Sequence, residues 1–298
     1  MRLALSLLFT LLLAAPVHPQ TRPLHTRDFT RLSHPQIAAQ LAQADVIFIP
    51  VGAVEANGTQ PTGRDYVWPL AYSMLMAEAA GGLYLPGIAW SFPGTTRPAP
   101  STIHITPQSS LVGLKALAHS LLKQGFRRQV YVSGSHGPAA LTLGTLAREF
   151  FEETSVPILY VNLDTQWTRL QVSAADRQRA LYGAHKITNR LEDLPLAGDY
   201  AEAPHSFPQN KGLAALGCLG LGGSLHVGSW IADEMAHGGA GPLPQSAAER
   251  EQWAREGEAI VRRHVEQLDI PAAMAALKEH DRFTQEVILP KFRQRLQP

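Results

Sequence analysis

The sequence predicts an α/β fold in which helices surround a mostly parallel sheet, and three observations predict it. Short apolar, β-branched runs alternate with longer stretches of helical period. One of those stretches, 107–124, carries Leu111, Leu114, Ala118, Leu121 and Leu122 on one side, with Pro107 at its first turn and Gly125 at its end. The alternation continues without a linker, and the chain left after an N-terminal leader is long enough for one large domain with a well-buried core.

Taken in order, the chain opens with Arg2 and a mostly apolar run at 3–15 that ends in small residues. This is the pattern of a secretory signal peptide, assigned to 1–20. The run is shorter than the roughly 20 residues that span a bilayer, although an uncleaved anchor is the alternative. The expected destination is the periplasm or the exterior, and residues 25–298 form the expected single domain. Strands are predicted at 46–51 (VIFIPV), 83–88, 129–133 (QVYVS) and 157–163 (PILYVNL), and helices at 35–43, 69–80, 107–124 and 139–154. The second half is less regular. It reads as a helix over 174–191 interrupted around Gly183, a loop-like stretch at 195–225, a loop at 238–245 and a long helix at 247–268. A last helical piece starts near Ala272 and is predicted to break before Pro290.

Bulk properties narrow the function classes. The 26 basic and 25 acidic residues nearly cancel, and no basic block offers a footprint for nucleic acid. Cys218 is the single cysteine, so no internal disulfide can form and core packing must supply the stability. Beyond the leader no apolar segment reaches about 18 residues, so no membrane span is expected.

Ligands of open α/β sheets bind beyond the carboxyl ends of the strands. Glu55, Asn57 and Asp65 follow the first strand, and His136 follows the third in GSHGPAA. Carboxylates and an imidazole there could converge on one divalent ion, the mixed oxygen and nitrogen set that Zn and Mn accept. Alternatively Glu55 and Asp65 cap helices and His136 bonds within a turn.

These stretches resemble a known family. Pro50-Val-Gly-Ala-Val-Glu55-Ala-Asn57-Gly58, followed by Pro61, Gly63 and Asp65, is similar to the creatininase signature P-V-G-S-x-E-Q-H-G-x-H-L-P-x-x-T-D. Pro100-Ser-Thr-Ile103 stands for P-G-T-I, Gly134-Ser-His136-Gly137-Pro-Ala139 for N-G-H-G-G-N, and Gly239-Ala-Gly241-Pro242 for G-x-x-G-D-P. The resemblance spans about 28–268. It implies a three-layer α/β/α sandwich, a small-molecule substrate with a C–N bond to hydrolyse, one or two divalent ions and a homo-oligomer.

By that resemblance Glu55, Asp65 and His136 occupy ligand positions, whereas Asn57 replaces an imidazole and the Glu55–Asp65 interval is one residue short. The family's H-A-G-E-x-E-T-S stretch is best matched by Tyr182-Gly-Ala-His185, which puts His185 in a ligand slot and Tyr182 in place of an acid/base His. Asn57 and Tyr182 are then substrate-contacting positions. A rival placement uses His226-Val-Gly228-Ser229. Tyrosine titrates near 10 when unperturbed, so Tyr182 needs a shift to serve as an acid/base at neutral pH.

The expected function is therefore a metal-dependent amidohydrolase with an altered site. A catalytically inactive binding protein on the same fold is the alternative. A serine hydrolase built on Ser133-Gly-Ser135-His136-Gly137 is a weaker one, because Ser133 stands where the elbow needs glycine and no partner Asp can be placed. His104, Trp68, Trp90 and Trp230 could line a pocket, although such residues more often sit in a core or rim. Arg64 reads as the partner of a surface carboxylate. Gly217–Gly228 reads as a packed or flexible loop, and Lys278, Arg282, Lys291, Arg293 and Arg295 as a solvated or oligomer-contacting face.

Overall fold

The computed structural model of the chain describes residues 24–87, 89, 91–134, 137–200, 215 and 242–296. Four parallel strands, β1 (Val46–Val51), β2 (Leu83–Tyr84), β3 (Arg128–Ser133) and β4 (Leu159–Asn162), form one sheet in the order β2-β1-β3-β4. All six residues of β1 are buried, as expected of a parallel strand covered on both sides. Val46 and Phe48 face one hydrophobic layer; Ile47, Ile49 and Val51 face the other.

The first layer is built on α2 (Arg64–Ala80), α6 (Ala174–Ile187), α7 (Ala247–Gln267) and α8 (Ile270–Phe283), with Tyr72, Met76, Tyr182, Trp253, Ile260 and Met274 in it. The second is built on α1 (His34–Leu41), α3 (Pro107–Gln124) and α4 (Gly137–Thr154), through Leu114, Leu121, Leu146 and Phe150. This is the expected three-layer sandwich. The helix ends follow capping chemistry: Thr106, Ser173, Ser246 and Asp269 each accept a backbone N–H of the first turn, and Gly125 closes α3 in the left-handed region at φ 107°.

Several elements differ from expectation. α2 begins at Arg64, so Pro69 lies inside it. Proline removes the N–H that would reach the Asp65 carbonyl and its ring crowds that carbonyl, while the turn before it is held by Tyr66 and Val67 donating to Gly63. β2 is two residues long because Pro86 has no N–H for the ladder. β4 ends at Asn162, whose side chain accepts from the Thr165 N–H and starts a seven-residue helix, α5 (Leu163–Arg169), which the sequence does not predict; only its first residue, Leu163, falls within the expected strand.

At the C-terminus α8 passes through a π-turn (Thr284–Ile288) into α9 (Leu289–Leu296), so there is no break before Pro290. Pro290 follows Leu289, whose N–H donates to the Thr284 carbonyl in the π-helical register. Among the described residues no helix is long and apolar enough to cross a membrane. The leader and the 217–228 stretch lie outside the described residues.

Nor is α6 interrupted at Gly183. Gly183 and Gly257 mark the crossing of α6 and α7: a Cβ on Gly183 would lie 2.1 Å from the Gly257 carbonyl carbon, and one on Gly257 would lie 1.8 Å from the Arg179 oxygen. Replacing Gly257 with Ala is expected to lower stability by more than about 2 kcal/mol, because backbone must move. By contrast Gly144→Ala, in α4 with open space around its Cβ position, should raise stability by roughly 0.5–1 kcal/mol. Thermal melting of the two variants checks both signs.

Candidate functional site

The carboxyl ends of β1, β3 and β4 point at the same place. Two glycines bring the start of α2 down onto them. A Cβ on Gly52 would stand 2.5 Å from the Tyr66 Cα, and one on Gly134 would stand 2.9 Å from the Pro69 Cδ. Without those side chains the first turn of α2, with Asp65 in it, rests directly on the strand ends. A cavity of about 630 Å³ opens there. Gln60, Arg64, Asp65 and Trp68 line it from the first motif and α2; Gly134 from the end of β3; and Asp164 and Trp167 from α5. Ala174, Ala175, Arg177, Gln178, Leu181 and Tyr182 line it from α6, with Pro242 at its edge.

The structure thus brings Asp65 and Tyr182 to one cavity. The third contributor, Gly134, stands two residues before His136, which lies outside the described residues. Glu55 and Asn57 are buried in the loop beside the cavity and do not line it. The Glu55 carboxylate accepts from the Thr96 hydroxyl at 2.5 Å, and the Asn57 amide donates to the Glu55 carbonyl at 3.3 Å. A neighbouring segment clasps this loop: Ala56 N–H donates to the Thr102 hydroxyl, Ile103 N–H to the Val54 carbonyl and Ser91 N–H to the Gly52 carbonyl. Arg64 lies 4.0 Å from the carboxylate of its chain neighbour Asp65.

His185 is fully buried one helical turn beyond Leu181 and Tyr182. Its Nδ1 donates to the Leu181 carbonyl at 3.0 Å, which fixes the tautomer, and its Nε2 has no partner. Burial pushes its pKa from 6.5 down to about 4, against a smaller upward pull from the Leu181 carbonyl. The imidazole is therefore neutral, with a free lone pair and an oriented N–H, the state in which histidine ligates metals.

Tyr182 is also fully buried, packed edge-on to Trp253, with its hydroxyl unpartnered. Burial pushes its pKa up to about 12, only partly offset by Arg179 and Arg250. The shift runs away from neutral pH, so Tyr182 is a hydrogen-bond donor there rather than a proton-exchanging acid/base. Among the described residues no three His, Cys, Asp or Glu side chains are grouped so as to hold a metal ion. The proposed set needs His136, and its hard carboxylate and neutral imidazole donors are chemically suited to Zn or Mn.

Sequence reasoning missed α5's contribution. Asp164 and Trp167 follow β4, the next strand end in the sheet, and the Asn162 cap with Asp164 in the first turn was the available signal. Trp68, read as more often a core residue, lines the cavity. Trp90, Trp230, Ser135, His226 and Ser229 lie outside the described residues.

Comparison with known proteins follows this geometry. The creatininase family model, creatinine amidohydrolase, matches residues 30–186. The chain is similar to a crystal structure of creatinine amidohydrolase at 16% identity and TM-score 0.57, covering 85% of this chain and 98% of that one. A putative creatinine amidohydrolase from Bacteroides fragilis NCTC 9343 is 18% identical at TM-score 0.57, covering 85% and 96%. A manganese creatininase is 15% identical at TM-score 0.52, covering 82% and 97%. At these identities the structural likeness establishes the fold. No curated protein is a significant match to the sequence.

The His185 shift carries a sign. As pH falls from about 6.5 to about 4, the unfolded chain takes up a proton that the native imidazole refuses, and stability is lost through that window. For metal-free protein the loss should be on the order of 3 kcal/mol. His185→Gln should flatten this part of the acid limb, as read from denaturation midpoints at pH 7 and pH 4.5; an unchanged slope would remove His185 as its source.

Proposed function

Because this chain belongs to the creatininase family, we propose that it is a metal-dependent hydrolase of a C–N bond, an amide or cyclic amide, in a small molecule. One observation carries the reading. Asp65, the β3 end that leads into His136, and α6 with Tyr182 all meet at a cavity beyond the carboxyl edge of the sheet. The ion-holding residues are Asp65 and His136, with Glu55 and His185 as the further donors, and the ion is zinc or manganese, one or two per chain. The departures at Asn57 and His185 make this an altered form of the family's site.

What an ion supplies in such a place is polarisation of the amide carbonyl and activation of water. The chain's own residues do the rest. Tyr182, protonated at neutral pH, donates toward the carbonyl oxygen. Trp68 and Trp167, with ring centroids 4.0 Å apart, exclude water from one wall. His185 keeps its lone pair because burial denies it a proton. The leader assigned to 1–20 carries the chain to the periplasm or beyond, where it works as a homo-oligomer.

The second reading, a binding protein that has lost catalysis, is favoured by the direction of the Tyr182 shift, which leaves no neutral-pH proton exchanger at that position. Metal analysis separates the two. The purified protein should retain about one ion or more per chain. Asp65→Asn should lose it, with amide hydrolysis falling at least about a hundredfold. Full metal content in Asp65→Asn would take Asp65 out of the site, and an ion-free native protein would leave the binder.

A further inference from the structure

A second cavity, of about 580 Å³, lies at the far end of two helices that border the first. Glu78 lines it from the last turn of α2, roughly 20 Å along the axis from Arg64 at the helix start. Lys186 lines it from the end of α6, and Glu258 and Arg262 from α7. The remaining side is the segment 24–27, which two hydrogen bonds hold against the sheet edge. The Tyr84 N–H donates to the Arg27 carbonyl at 3.0 Å, and Arg27 Nη1 donates to the Gly82 carbonyl at 2.9 Å.

The charges on this lining do not all pair with one another. Lys186 bonds Glu251 at 2.5 Å, and Arg262 bonds Glu258 at 2.8 Å. Arg27 and Glu78 are left over: among the described residues Arg27 has no carboxylate within ion-pair reach, and the Glu78 side chain has neither an ion pair nor a hydrogen bond. Both belong to one helix end, because the guanidinium rests on the Gly82 carbonyl, four residues beyond Glu78. A cation and an anion thus face the same space without reaching each other.

A ligand with a single charge suits such a place poorly. An anion drawn to Arg27 would share the cavity with Glu78 and Glu258, and a cation drawn to Glu78 would share it with Arg27, Lys186 and Arg262. A zwitterion meets both leftover groups at once. Arg27 keeps further N–H donors in a planar fork that matches a carboxylate. α2 and α6 both finish at this cavity, and the negative ends of their dipoles add to Glu78 in favouring an ammonium group. The rest of the wall is largely aliphatic, with Met74, Ile187 and the buried Leu75. The volume holds on the order of twenty waters at about 30 Å³ each, ample for a free amino acid.

We propose that this second cavity binds a free α-amino acid with an aliphatic side chain, its carboxylate on Arg27, its ammonium on Glu78 and its side chain against Met74, Leu75 and Ile187. The site needs neither a metal ion nor turnover, so it stands or falls apart from the hydrolase reading.

The test is calorimetric titration of the full chain, kept metal-free with EDTA, using three probes. L-Leucine carries both charges, leucinamide lacks the carboxylate, and 4-methylpentanoate lacks the ammonium group. L-Leucine should bind at least about tenfold more tightly than either analogue. Glu78→Gln, at an exposed position, should bring L-leucine level with 4-methylpentanoate. Arg27→Gln, shown by circular dichroism to be folded, should bring it level with leucinamide. Asp65→Asn, in the first cavity, should bind L-leucine as the native chain does. No binding of L-leucine, equal affinity for L-leucine and either analogue, or an unchanged preference in Glu78→Gln would overturn the proposal. So would loss of binding in Asp65→Asn, which would put the amino acid in the first cavity.

Discussion

The site depends on two absent side chains. Gly52 and Gly134 end β1 and β3, and each lies within van der Waals overlap of where a Cβ would meet the first turns of α2. The Asp65 carbonyl oxygen would sit 2.6 Å from one such Cβ and 3.1 Å from the other. Pro69 has no N–H to offer that carbonyl. The proline and the glycines thus belong to one arrangement, in which a helix start is lowered onto two strand ends and Asp65 is carried with it. Lifting α2 by the depth of a methyl group would withdraw Asp65, Arg64 and Trp68 from the cavity together.

A second close approach sets the opposite wall. Gly183 and Gly257 let α6 and α7 touch backbone to backbone, and α6 carries Leu181 and Tyr182 to the cavity, with His185 buried a turn further on. Because helices are stiff, fixing α6 at one point fixes the whole stripe. The third wall is tied by hydrogen bonds instead: His264 of α7, Tyr72 of α2 and Trp167 of α5 form one buried chain. Each helix bordering the cavity is thereby referred to another, and a change at any of these contacts is felt by the lining before it is felt by the sheet.

Much of this was legible in the residues, for identifiable reasons. The strand cores of β1 and β3 and the whole of α3 follow local rules, such as apolar runs, a helical stripe, Pro107 at the start and Gly125 at the end. What escaped was set by tertiary partners. Gly183 reads as a helix breaker until Gly257 is known to lie against it, and Pro69 reads as a helix start until the turn before it is seen to be held by Tyr66 and Val67 donating to the Gly63 carbonyl. Pro290 reads as a stop until the π-turn before it shifts the register. For the site, Asp65 and Tyr182 were found through motif resemblance and meet at the cavity. Trp167 and Asp164 carry no motif and enter because β4 is the next strand in the sheet, an order that pattern alone does not supply. Trp68 was discounted because a tryptophan in a helix is usually core, and it is core on one side.

Burial then assigns the chemistry, with opposite results for two neighbouring side chains. Removing water disfavours whichever form is charged. In His185 the charged form has the extra proton, so burial strips it and leaves a lone pair at Nε2; in Tyr182 the charged form lacks the proton, so burial retains it and leaves a donor. One turn of α6 therefore presents a Lewis base and a hydrogen-bond donor from the same low-dielectric environment, with no charge on either. Asn57, buried outside the cavity lining, fastens the Glu55 backbone with its amide. The uncharged pair thus sits beside a wall that is charged, since Arg64 and Asp65 of α2 and Asp164 and Arg177 line the same cavity, and the chemistry of the place depends on both.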